Sequence, residues 1–269
     1  MPVSWKDQNR AAWNERVRRN DWYIDSAKDS DFLNPLNNAD PVGWLETVAD
    51  KRVLCLAAGG GRHGPLLAAA GAHVTVVDLS PQMLELDRKV ASDRGLTLTA
   101  VEASMDDLSS LANNQFDAVI QPVSTCYVPD VLKVYREVAR VLCKGGIYVS
   151  QHKQPVSLQA SPGPVGVQAK FVITEPCVRN EPLPPERDRC LHREAGTIEY
   201  LHRLGTLLGG LCQAGFVIED VAEPDHTKPD AGVGSFAYRC RFVPPYLAIK
   251  ARRTAADASH SQRPAIVLP

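Results

Sequence analysis

A chain of 269 residues is long enough for one α/β domain with additions, and 44% hydrophobic content suffices for a packed core rather than a disordered chain. A formal charge of −1 gives no field to gather a polyanion, which argues against nucleic acid as a partner. Seven widely spaced cysteines with no CxxC pair suggest neither a disulfide framework nor a zinc knuckle, so no metal is expected, and scattered thiols fit a reducing, cytoplasmic setting.

The first twenty residues have no apolar core or small-residue cleavage site, so no secretory signal is expected there. No apolar run nears the ~20 residues of a membrane span. Residues 4–20 predict a helix capped by Ser4, with Trp5, Trp13 and Val17 near one face. Residues 21–43, rich in Asp, Asn and Pro, read as loop with a turn or two, and 44–50 as a brief helix. Strands follow at 52–58, 73–78, 96–103, 116–122 and 147–152. Helices at 65–71, 80–95 and 131–142 stand between them. Ser80, Pro81 and Gly95 mark the start and stop of the second of these helices. Strands alternating with helices at this spacing predict right-handed crossovers and a parallel sheet.

Residues 153–196 break the rhythm with clustered prolines and one strand-like piece at 169–175, and read as an insertion over the sheet's carboxyl edge. A helix over 197–214 and strands at 215–221 and 234–252 complete the pattern. The division expected is a single domain over 1–252. It comprises an N-terminal lid (1–43), a core (44–152), the insertion (153–196), a late helix and hairpin (197–252), and then a frayed tail (253–269).

AAGGGRHG (57–64) joins the first strand to a helix. Its glycines let the backbone turn sharply and approach a ligand closely. Asp78 ends the second strand about 20 residues on, where an acid can accept from ribose hydroxyls. The combination marks an adenosine-type ligand. It chooses poorly among them, because Gly59-x-Gly61-x-x-Gly64 also satisfies the dinucleotide fingerprint.

RVLCLAAGGGRHGPLLAAAGAHVTVVDLSPQMLELDRKVA (52–91), FDAVIQPVSTCYVPDV, YREVARVLCKGG and IEYLHRLGTLLGGLCQAGF together resemble the class I, Rossmann-like S-adenosylmethionine-dependent methyltransferases, in particular the ubiquinone-biosynthesis-like small-molecule branch. The resemblance implies a seven-stranded sheet of order 3-2-1-4-5-7-6 with strand seven antiparallel, and S-adenosylmethionine as cofactor. It implies that Ala57, Ala58, Gly59 and Gly61 pass beneath the methionine part, that Asp78 holds the ribose, and that Leu79 and Met83 lie against the adenine. Ser104 and Met105 would meet the adenine edge, with Gln121 and Pro122 near the sulfonium. Three positions depart from the family pattern. Cys55 replaces its usual acid, Ala57 its first glycine, and Ala103-Ser104 its Gly-Asp pair. Gln121-Pro122-Val123-Ser124 lacks the Asn/Asp-Pro-Pro-aromatic box of amide and exocyclic-amine methylases.

Methyl transfer is an in-line displacement in which the protein aligns the reactants and keeps water out. Trp5, Trp13, Trp22 and Tyr23 are placed for a lid, or for ordinary aromatic packing. His152, at the end of the fifth strand, Tyr127 and His202, expected on the late helix, are the candidates for a base or a substrate contact; each also has a reading as packing or as a satisfied side chain. Arg62 stands ready for the methionine carboxylate or for solvent, and Cys126 for packing. Arg16, Arg18 and Arg19 read as a solvated face or an anion contact. Two other functions stay open: a nicotinamide-dependent oxidoreductase, which the missing Tyr-x-x-x-Lys pair argues against, and a non-catalytic S-adenosylmethionine-binding protein. The expected acceptor is a small molecule.

Overall fold

Ser4 is extended, accepts from the Asp7 N–H, and so caps α1 (Trp5–Arg18). The computed structural model describes residues 4–21, 24–162, 171–186 and 192–254. After a 3₁₀ turn at Asp29–Leu33 comes the short helix α2 (Pro35–Ala39). No helix forms over 44–50. Glu46 and Asp50 take left-handed φ angles of 48° and 59°, which a right-handed helix cannot hold, and Trp44, Leu45 and Val48 are buried from a loop instead.

The alternating core then runs β1 (Arg52–Leu56), α3 (His63–Ala69), β2 (His73–Asp78), α4 (Pro81–Ser92), β3 (Thr99–Glu102) and β4 (Phe116–Gln121), followed by α5 (Val131–Val141) and β5 (Leu142–Lys153). The α4 start is as its residues dictate, with the Ser80 side chain accepting from the Met83 N–H and Pro81 in the first turn. β5 begins at Leu142, ahead of Gly145 and Gly146, and its register with β4 shifts between Phe116 and Ala118.

The insertion forms α6 (Pro155–Gln159) and a two-stranded hairpin of β6 (Ala160–Pro162) and β7 (Phe171–Ile173). The late helix α7 covers only Leu204–Gln213, because the backbone of 198–203 bonds to distant partners instead of to itself. The Ile198 N–H donates to Asn9 Oδ1, Tyr200 N–H to the Cys126 carbonyl, and Leu183 N–H to the Glu199 carbonyl. β8 (Phe216–Ala222) follows. The expected strand over 234–252 is β9 (Tyr246–Arg253) alone. Before it, Ser235 caps the short helix α8 (Phe236–Arg239), and Pro244-Pro245 supply no N–H for a ladder.

The main sheet has the order β3-β2-β1-β4-β5-β9-β8, with β9 antiparallel to both neighbours and all other pairs parallel. Counting main-sheet strands alone, this is the expected 3-2-1-4-5-7-6. Side chains alternate between two cores. Leu54, Leu56 and Val119 pack with α5 and α7, while Val53, Cys55 and Ile120 pack with α3 and α4.

α3 lies against β2 through Gly64. A Cβ at Gly64 would stand 2.6 Å from Val76 Cγ2. Gly64→Ala is therefore expected to lower unfolding free energy by roughly 1–3 kcal/mol, the usual cost of overpacking, in a urea titration; no loss would mean that α3 can shift freely.

Candidate functional site

The carboxyl ends of β1, β2 and β4 open into a cleft of about 230 Å³. One side is α1, through Trp5, Asn9 and Trp13. Asn9 fixes that helix in place. Its Nδ2 donates to the carbonyls of Tyr127 (3.2 Å) and Ile198 (3.1 Å), and Trp13 meets the Tyr127 ring edge-on at 5.8 Å. Trp22 and Tyr23, the other residues expected in the lid, lie outside the described residues.

The opposite side is the glycine loop. Ala57, Gly60 and Gly61 all have positive φ (47°, 121° and 78°). Ala57 thus holds, at a cost of about 1–2 kcal/mol, the left-handed turn that glycine would adopt freely. Two of the loop's amides are taken up within the protein. Gly59 N–H donates to Asp78 Oδ2 (3.0 Å), and Gly60 N–H donates to Asp87 Oδ2 (2.9 Å) and to the Met83 carbonyl (3.1 Å). A pyrophosphate-binding loop needs those amides free. Here the Gly59 and Gly60 amides are bonded to two carboxylates and are not left for a phosphate.

Asp78 also accepts from the Ser80 N–H at 2.8 Å. Burial pushes its carboxyl up to about 6, against the pull of these backbone donors. Beside it, Leu79, Met83 and Met105 give the cleft an apolar lining, and Ser104 also lines it, its hydroxyl donating to Asp106 at 2.5 Å. Ala57, Ala58, Gly59, Arg62 and Pro122 complete the expected residues that line the cleft.

Two expected residues do not line it. A Cβ on Gly61 would meet Val90 and Leu86 of α4, so this glycine serves the packing of the loop on that helix. The Gln121 side chain is buried beneath, donating to Ser124 Oγ (2.9 Å) and accepting from the Tyr148 hydroxyl (2.5 Å). Arg62 borders the cleft, but its Nη1 is held by Asp31 (3.2 Å) and Asp25 (3.4 Å) rather than left for a ligand carboxylate.

The three residues expected to act on an acceptor are held elsewhere. His152 is buried, its ring nitrogens bonded to Thr125 Oγ1 (2.8 Å) and Ser150 Oγ (2.9 Å), and burial lowers its pKa to about 3. His202 precedes α7 rather than riding on it. Its Nε2 donates to the Thr125 and Val128 carbonyls at 3.1 and 3.0 Å. Both imidazoles thereby grip the 3₁₀ turn Thr125–Tyr127. Tyr127 presents its ring to the cleft, while its hydroxyl donates to Glu194 Oε2 at 2.7 Å; burial, then the nearby carboxylate, push its pKa upward. Cys126 is buried, as a packing role requires. Arg16 departs from the solvated face expected of it: it is 7% exposed, pairs with Asp21 and donates to the Ala195 carbonyl. Arg18 and Arg19 pair with Glu15.

A second cavity of about 420 Å³ adjoins the first, with Arg62, His63 and Pro122 common to both walls. Trp44, Ile120, Val149 and Ala248 make it mainly apolar; Gln151 and His226 add polar groups. His63, which sequence reasoning passed over inside the glycine loop, has no hydrogen-bond partner among the described residues. Burial, with Arg62 nearby, lowers its pKa to about 4, so the ring is neutral at physiological pH. Among the described residues no cluster of side chains could hold a metal ion, and no helix is long and apolar enough to cross a membrane.

Residues 54–150 match the family model of a methyltransferase domain. The chain is 34% identical over 226 residues to the uncharacterized methyltransferase YbaJ of Bacillus subtilis (strain 168), a match covering 78% of this chain and 87% of that protein. It is 32% identical over 114 residues to a ubiquinone biosynthesis O-methyltransferase of Xanthomonas oryzae pv. oryzae, covering 42% of this chain and 47% of the relative. A solved S-adenosylmethionine-dependent methyltransferase of Mesorhizobium loti superimposes with a TM-score of 0.63 at 25% identity, over 82% of this chain and all of that one. The seven-stranded order, with an acid at the end of β2 beside the glycine loop, agrees with these likenesses: the chain belongs to the class I, Rossmann-like S-adenosylmethionine-dependent methyltransferases.

Proposed function

We propose that residues 1–252 form one cytoplasmic catalytic domain that methylates a small, uncharged acceptor seated in the second cavity. The observation that carries this reading is the wall shared by the two cavities: Arg62, His63 and Pro122 border the donor cleft on one side and a mainly apolar chamber on the other. At about 420 Å³ the chamber has the size of a small-molecule site. Among the described residues that line it there is no free cation for a carboxylate or phosphate, since Arg62 is paired with two aspartates.

The donor supplies a methyl group already activated on a sulfonium. The chain's task is then alignment and exclusion of water. Asp78 would hold the ribose, Leu79 and Met83 would lie against the adenine with Met105 at its edge, and Pro122 and Tyr127 would wall the reacting end. His63, neutral and without a hydrogen-bond partner among the described residues, accepts a hydrogen bond from the acceptor hydroxyl at an imidazole nitrogen and so orients its oxygen; the proton itself passes on to water. His152 and His202 act at one remove, by fixing the turn that carries Tyr127.

The test uses radiolabelled S-adenosylmethionine with a panel of uncharged phenols, catechols and aliphatic alcohols, on wild type and on Val149→Trp, which fills the chamber. The expected result is transfer to a member of the panel by wild type, a loss of at least 100-fold in Val149→Trp, and S-adenosylhomocysteine affinity within threefold of wild type by calorimetry. Transfer undiminished in Val149→Trp would remove the chamber from the reading. Absence of homocysteine-form binding in wild type would remove the donor.

A further inference from the structure

Asp87 is a carboxylate in the wrong company. It sits on the buried face of α4 with no solvent exposure, beside Leu84 and against Val76 and Gly64. One oxygen, Oδ2, accepts the Gly60 N–H, and the Gly61 N–H is also turned toward the group. The other, Oδ1, has no partner. A buried, half-satisfied acid costs a fold several kcal/mol and is kept where it serves a site. Burial, followed by the field of Asp78, pushes its pKa up to about 7 against these amides.

Directly beneath the same loop, at the end of β1, stands Cys55, fully buried and within the electrostatic reach of Asp87. An acidic side chain at position 55 would rise into the space under the loop from the strand; Asp87 enters that space from the helix. Above it the loop is gripped from the other side, Gly60 O by the Ser26 hydroxyl (2.6 Å) and Gly61 O by the Ala27 N–H (3.0 Å). Asp87 is therefore the lower jaw of a clamp whose upper jaw is the segment after α1.

We propose that Asp87 is a positioning residue of the donor site, which replaces from α4 the acid absent at Cys55 and, by clamping the Gly60–Gly61 amides, holds the loop in the shape the donor needs. This rests on the donor reading of the cleft. The clamp orients the loop and touches no reacting atom.

The experiment uses the full chain in four forms: wild type, Asp87→Ala, Asp87→Asn and the double variant Cys55→Asp/Asp87→Ala. Amide hydrogen exchange of the peptide containing Gly59–Gly61 is followed without ligand, and binding of S-adenosylhomocysteine and of NAD is measured by calorimetry. Asp87→Ala is expected to speed loop exchange and weaken S-adenosylhomocysteine at least tenfold each. Asp87→Asn, whose amide oxygen still accepts from Gly60, stays within threefold of wild type. The double variant recovers most of the loss, because an acid again stands under the loop. Should Asp87→Ala not fold, recovery of a folded, ligand-binding protein in the double variant carries the same test. Loop exchange and affinity within twofold of wild type in Asp87→Ala, or a double variant no better than the single one, overturn the proposal. A wild type that binds NAD and not S-adenosylhomocysteine overturns the donor reading, while the exchange data still decide whether Asp87 holds the loop.

Discussion

Asp78→Ala is expected to weaken S-adenosylhomocysteine about 100-fold or more by calorimetry. The Asp78 carboxylate ends β2 at the floor of the cleft, fixed by the N–H groups of Gly59 and Ser80. Two ribose hydroxyls donating to an ionised acid form charge-assisted bonds of about 1.5–3 kcal/mol each, and 1.4 kcal/mol is a factor of ten. The substitution also frees the Gly59 amide, so the loop loses an anchor along with the ligand. A pH signature accompanies the loss. In the ligand-free protein this acid titrates at about 6 because it is buried. Its charged form is the better acceptor, so affinity is full above that value and declines below it. At pH 5 only about a tenth of the molecules carry the charge, and the apparent affinity drops roughly tenfold from its value at pH 8. Asp78→Asn should flatten that part of the profile. Affinity in Asp78→Ala within threefold of wild type would show that the ligand lies elsewhere.

Lys153→Met is expected to lower unfolding free energy by about 3–5 kcal/mol in a denaturant titration, the cost of breaking one partner out of a buried charge network. Lys153 ends β5 with its side chain 1% exposed. Its Nζ lies 2.5 Å from Glu194 Oε2 and 2.7 Å from Glu199 Oε1, and Arg193 Nε lies 2.5 Å from the second Glu199 oxygen. Burial alone would lower the lysine's pKa; the two carboxylates override it and hold the ammonium well above its ordinary range. Removing the cation strands Glu194 with the Tyr127 hydroxyl as its remaining side-chain donor among the described residues. Lys153→Met/Glu194→Gln should therefore recover part of the loss, since position 194 then carries no uncompensated charge. The same network ties residues 192–199 to the sheet, so exchange protection in that segment falls together with stability. A loss below 1 kcal/mol would mean that water reaches the network.

Much of the fold was legible because its signals are local. β2 and α4 have the expected starts, since a short apolar run after Gly71 and a Ser-Pro cap need no distant partner. Residues 198–203 misled because their backbone groups are claimed by Asn9, Cys126 and Leu183, far away in the chain. His152 misled through parity. It stands at the expected sheet edge, but it shares a face with Ser150, to which it is bonded, and with Tyr148 of the α5 core, whereas Val149 and Gln151 face the second cavity. Asp87 had a readable signal, an acid spaced with Met83, Leu84 and Ala91 on the buried stripe of a helix. His63 had none. Nothing in GRHG tells that two cavities share its wall.

The antiparallel strand β9 lies between β5 and β8, so the last strand of the sheet to leave the ribosome is an interior one. Until Tyr246–Arg253 has been synthesised, β5 remains a raw border with unpaired amides, and β8 has no neighbour at all. A nascent chain halted before that point would carry a finished nucleoside half beside an adhesive edge, which makes premature arrest a route to aggregation rather than to a smaller working protein.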